Sequence, residues 1–157
     1  MEYNIDGASK GNPGTTGYGG VLRDDNGSIL FILYCHLGRA TNNMVELMAM
    51  EQCLDSLVQD NYQNVIVEAN SELIINLVKR ISWGTKPEKS SRNCRLIQVF
   101  QQLQSHLQCF RTVSFKHMRI IANKLVNILA NQGVICTKNR VVMNWQEPAQ
   151  NRLNMNC

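Results

Sequence analysis

Hydrophobic positions change period along the chain, and the changes predict strands and helices in turn. Residues 3–9 alternate, with Tyr3 and Ile5 on one face and Asn4 and Asp6 on the other, and they run into the turn Gly11-Asn12-Pro13-Gly14. Residues 18–24 and 29–36 are β-rich runs joined through Asp25-Asn26-Gly27, where Asn-Gly signals a hairpin. In residues 43–59 the apolar positions Leu47, Met50, Leu54 and Leu57 recur at three and four, which predicts an amphipathic helix. Residues 65–69 read as a short buried strand, and 71–81 as a helix with Leu73, Ile74, Leu77 and Val78 on its apolar side.

Gly84 and Pro87 make 83–91 a loop, and Leu96, Phe100, Leu103 and Leu107 make 92–107 a helix. Residues 112–116 give a last strand, and 121–131 a last helix, with Gly133 placed to act as its C-cap. The order βββαβααβα implies an α/β fold: a five-stranded mixed sheet flanked by helices. The predicted domain covers 1–133. The Asn-rich stretch 134–157 reads as a loosely packed C-terminal extension.

Composition narrows this only a little. A 157-residue chain with 44% hydrophobic and 18% charged residues is one globular domain and not a disordered segment. The net charge of +4 suits a polyanionic partner without selecting one. Six cysteines lack any CxxC or Cys/His spacing, so a zinc site is not expected, and reduced thiols inside a cell are the expected setting. No apolar run approaches the roughly 18 residues of a membrane span, so no membrane partner is expected.

Candidate chemistry begins at Asp6, which opens the run Asp6-Gly7-Ala8-Ser9-Lys10-Gly11-Asn12-Pro13-Gly14. Taken alone, Asp6 reads equally as a turn-initiating carboxylate. Glu46, within Thr41-Asn42-Asn43-Met44-Val45-Glu46-Leu47, lies four helical steps before Met50, about 40° away on the wheel and so on the apolar arc. A carboxylate there is costly to bury without a partner, unless it sits at the edge of the arc and reaches water.

These two runs together resemble the first two signatures of the ribonuclease H family, whose members cut the RNA strand of an RNA–DNA hybrid. The spacing of ten positions from His117 to Asn127, with Ala122-Asn123 and Leu129-Ala130-Asn131, is similar to the plant-type branch, as is Asn144-Trp145-Gln146-Glu147-Pro148. The resemblance implies the same element order, reached above from pattern alone. It also implies a catalytic cluster at Asp6, Glu46, Asn70 and Asn127, with a pair of magnesium ions held by carboxylates. At Asn70 and Asn127 the family carries aspartate and this chain carries asparagine. Asparagine keeps the shape and loses the charge. A stable ion pair is then not expected; one ion, weakly held by Asp6 and Glu46, is the expected remnant. Glu68, two residues before Asn70 on the same strand face, is a conceivable substitute ligand. Asn127 also falls on a polar stripe with Asn123 and Asn131 and reads equally as a solvated surface residue.

By the same resemblance, Asn12, Thr41, Asn42 and Asn43 match positions that touch sugar and phosphate in the minor groove of the hybrid. Locally they also read as a turn residue and helix N-cap candidates. His117 matches a strand-end histidine. The basic helical handle of some bacterial relatives is missing, leaving only Lys86 and Lys89 in the loop, so weak grip is implied. The leading expectation is a ribonuclease H-like, monomeric, hybrid-binding domain with weak or lost catalysis. The alternatives are an active magnesium-dependent hybrid nuclease, or an interaction module that keeps only the fold.

Overall fold

The computed structural model describes residues 1–84, 94–119 and 123–136, and the backbone of 140–144. The elements run β1 (Glu2–Gly11), β2 (Gly14–Arg23), β3 (Ile29–Ala40), α1 (Asn42–Gln59), β4 (Asn64–Ala69), α2 (Glu72–Ser82), α3 (Cys94–Leu107), β5 (Thr112–His117), α4 (Lys124–Ile135) and β6 (Arg140–Asn144). The five predicted strands form one mixed sheet in the order β5-β4-β1-β2-β3, with β1 at its centre, and β6 adds a sixth strand beyond β3. β1 pairs antiparallel with β2 and parallel with β4, and β4 pairs parallel with β5. Two neighbouring strands therefore run the same way as β1 and end near the same rim, where Asp6 and Asn70 sit.

Alternation along β1 divides its side chains as the pattern predicts. Tyr3 and Ile5 are fully buried in the main core with Leu47, Met50 and Leu54 of α1, Ile74 and Val78 of α2, and Leu103 of α3. Asn4 and Asp6 face the other way and are also buried. On that second face Val21 and Ile32 of the sheet meet Val126 and Leu129 of α4. Helices thus cover both sides. Thr41 caps α1 by accepting from the backbone N–H of Met44, and Ser71 caps α2 by accepting from that of Ile74, each satisfying an otherwise orphaned donor.

Several boundaries differ from the sequence reading: β1 runs on to Gly11 and β3 to Ala40, and two further differences bear on the packing of α4. Gly133 does not cap the last helix but lies inside it, because α4 runs to Ile135. Its absent side chain lets the helix backbone lie on the sheet: a Cβ on Gly133 would meet the Cys35 carbonyl oxygen at 2.5 Å, and one on Gly17 would meet Gly133 at 2.3 Å. β2 begins at Gly14 and not near Tyr18; its Gly17 and Gly19 are the landing surface for α4, which strand propensity does not register. Beyond α4, residues 140–144 are not loosely packed but pair with Phe31–Cys35 of β3. The expectations on 85–93, 120–122 and 145–157, including Lys86, Lys89 and the C-terminal tail motif, lie outside the described residues.

Candidate functional site

Four elements converge at the rim where the β1–β4 pairing ends. Asp6 is brought by β1, Asn70 follows β4 directly, Glu46 lies in the second turn of α1, and Asn127 projects from the first turns of α4. The four are brought together. Asn127 Nδ2 donates to Asp6 Oδ2 at 3.0 Å, the Asn70 side chain lies against the same carboxyl, and Glu46 is close enough to feel the charge of Asp6. The surface-residue reading of Asn127 is thereby excluded.

The electrostatics follow from burial. Asp6 is 1% exposed, and loss of water raises its carboxyl above the ordinary range, an effect offset in part by the amides of Asn127 and Asn70. Glu46 is pushed up to about 8, first by burial and then by Asp6, with partial relief from a backbone hydrogen bond with Gly7. At neutral pH the pair therefore carries less than its two formal charges. Asp6 Oδ1 and Asn70 Oδ1 are both buried without a hydrogen-bond partner.

Positioning comes from groups that sequence reasoning undervalued. His117 Nε2 lies 3.0 Å from the Asn70 carbonyl oxygen, which ties the end of β5 to the end of β4. Asn123 Nδ2 donates to the Ile5 carbonyl at 3.0 Å, anchoring the start of α4 beside β1. Asn131 Nδ2 donates both to Asn127 O, at 2.9 Å, and to Asn127 Oδ1, at 3.1 Å. The i, i+4, i+8 spacing of these three asparagines was the available signal, and it marks the face turned to the site. Glu68 is engaged elsewhere: it accepts from Asn4 Nδ2 at 3.0 Å and lies 4.0 Å from Lys116 Nζ. It does not stand in for a missing aspartate.

Asn12, Thr41, Asn42 and Asn43 form one exposed patch beside α1. Asn12 Oδ1 accepts the backbone N–H of Asn42 at 3.1 Å, so the turn and cap readings hold for Asn12 and Thr41, while the Asn42 and Asn43 side chains stand in solvent. Next to them a cavity of about 370 Å³ opens between α1 and α2, with Thr41, Asn43, Asn76 and Arg80 among its lining.

A family model described as reverse transcriptase-like matches residues 4–133. Ribonuclease H of Bordetella bronchiseptica is 31% identical over 147 residues, covering 89% of this chain and 92% of that protein. The chain belongs to the ribonuclease H family. The crystal structure of ribonuclease H1 from Halobacterium salinarum superposes with a TM-score of 0.70 at 26% identity, covering 85% of this chain and 96% of that one. A second ribonuclease H1, isolated from compost and crystallised in complex with an RNA/DNA hybrid, gives 0.66 at 24% identity, over 85% and 96%. Mycobacterial relatives at 28% identity are longer, and this chain spans about a third (34%) of their length.

Whether the magnesium pair implied by the ribonuclease H family fits is decided by the donor set. Two of the four side chains are amides, one amide nitrogen points at Asp6 Oδ2, and among the described residues no three His, Cys, Asp or Glu side chains come together to hold an ion. Magnesium requires hard oxygen ligands. The residues present do not fit the pair.

Proposed function

We propose that this ribonuclease H-like domain binds RNA–DNA hybrid and cleaves it feebly or not at all. The observation that carries the reading is the Asn127 amide donating to Asp6 Oδ2, because it places a proton donor where hydrolysis would need a cation's ligand. At most one magnesium ion, weakly held by Asp6 and Glu46, belongs to this proposal.

Binding is supported separately from cleavage. The exposed Asn42 and Asn43 and the rim of Asn76 and Arg80 offer donors to sugar and phosphate beside the site. Amides at 70 and 127 also lower the negative charge that a phosphate would meet. The ribonuclease H1 captured with an RNA/DNA hybrid shares this fold, which supports the hybrid as ligand. A monomeric, intracellular protein of the plant-type branch completes the proposal; the free state of the five described cysteines is compatible with a reducing setting. Among the described residues no helix is long and apolar enough to cross a membrane.

Titration of a labelled RNA–DNA hybrid, with and without magnesium, tests the reading. Binding in both conditions with little product is the expected result. Robust cleavage would establish the active nuclease instead, and absence of binding would leave an interaction module.

A further inference from the structure

Asp6 is nearly inaccessible to water, yet one of its oxygens is satisfied by a side chain that the family would use to hold a metal. An asparagine can present either its oxygen or its nitrogen to a neighbour. At Asn127 the choice is made from behind. Asn131 Nδ2 donates to Asn127 Oδ1 at 3.1 Å and is itself held by the Asn127 carbonyl at 2.9 Å, so the Asn127 oxygen is taken and only its nitrogen remains to face Asp6. Turning the Asn127 amide over would set two acceptors against each other at Asp6 and two donors against each other at Asn131. Both contacts would be lost at once.

We propose that Asn131 is a positioning residue that holds Asn127 in the donating orientation, so that the Asn131–Asn127–Asp6 chain closes the site to a cation at Asp6 Oδ2 and clasps α4 to β1 without metal. This goes deeper into the same site as the proposed function, but its readout is metal binding and not hybrid binding, so either can fail without the other. It also gives Asn131 a directional role: a donor at 131 locks the amide, and an acceptor at 131 turns it over. An acceptor there would draw the Asn127 nitrogen to itself and present Asn127 Oδ1 beside Asp6 Oδ2, two hard oxygens suited to a divalent ion.

The test uses Mn²⁺ alone as probe, read by paramagnetic broadening of the Asp6, Gly7 and Asn127 amide resonances. Asn131→Asp supplies the acceptor; Gln132→Glu adds the same charge at the neighbouring exposed position and serves as control. Asn131→Asp is expected to tighten Mn²⁺ binding about tenfold or more over the unmodified chain, with Gln132→Glu changing it little. In Asn131→Ala, hydrogen exchange of the Asn127 side-chain amide should quicken while the circular dichroism spectrum is unchanged. Equal Mn²⁺ affinity of the two acidic variants, or unaltered Asn127 exchange in Asn131→Ala, would overturn the proposal.

Discussion

Asn12 and Asn42 are thirty positions apart, yet the side-chain oxygen of the first accepts the backbone N–H of the second at 3.1 Å. The β1–β2 turn is thereby tied to the first turn of α1, and the two residues separate a structural role from a ligand role. Asn12→Ala removes the acceptor and is expected to cost about 0.5–1.5 kcal/mol in chemical denaturation. Asn42→Ala keeps the bond, because only the backbone is used. Combined with Asn43→Ala, it should reduce hybrid preference over duplex DNA more than it reduces duplex binding, as read by parallel titrations.

Restoring aspartate at both Asn70 and Asn127 should raise magnesium-dependent hybrid hydrolysis by about 100-fold or more. The same double variant should melt at a lower temperature than the unmodified chain in EDTA and recover in magnesium. Four clustered carboxylates repel until a cation joins them, whereas the amides of the present chain partner Asp6 directly.

Glu46 gives a pH dependence of definite sign. Its carboxyl titrates near 8 in the folded chain against an ordinary value of 4.5. The folded state therefore holds a proton that the unfolded state has lost across that window. This contribution to stability is complete below about 4.5 and falls away as pH rises toward 8. Glu46→Gln does not titrate and stays neutral throughout. Relative to it, the unmodified chain should lose on the order of 1–3 kcal/mol between those limits, measured by urea denaturation across pH.

Gly133 offers a test of how α4 is seated. In an isolated helix glycine to alanine is stabilising by roughly 1 kcal/mol. Here the added methyl meets backbone oxygens of Cys35 and Tyr18 at 2.5 and 2.9 Å. Gly133→Ala should therefore destabilise the fold by about 1–3 kcal/mol, and it should lift Asn127 away from Asp6. A calorimetric melt higher than that of the unmodified chain would contradict this seating.

Much of the fold was legible because period reports burial. The alternation of Tyr3, Ile5 and Asp6 and the three-four recurrence of Leu47, Met50 and Leu54 each name the face that the structure buries. The misreadings at Gly133 and at the start of β2 share a cause, whereas β6 is a strand whose partner, β3, lies about a hundred residues earlier. Gly133 and, in β2, Gly17 and Gly19 serve contact between distant backbones, and local rules assign such residues to caps and turns. Asp6 and Glu46 were readable as a pair from their motifs, as were the amides at 70 and 127. What spacing could not show is direction: which end of the Asn127 amide faces Asp6 is set by Asn131, and the engagement of Glu68 by Asn4 needs the β1–β4 register.

The outer side of β3 carries a further consequence. Its first half is hydrogen-bonded to β6, and beyond that pairing the Arg95 guanidinium donates to the carbonyls of Leu37 and Arg39, at 3.1 and 2.9 Å. A twelve-residue strand at the margin of a sheet is a template for pairing with another molecule. In this domain that template is filled from within the chain, by a strand over one half and by a single cation over part of the other. The residues after α4 thus exchange part of a twelve-residue margin for the five-residue edge of β6, and shortening the chain to Ile135 is expected to bare the backbone of Phe31–Cys35 to pairing with a second molecule.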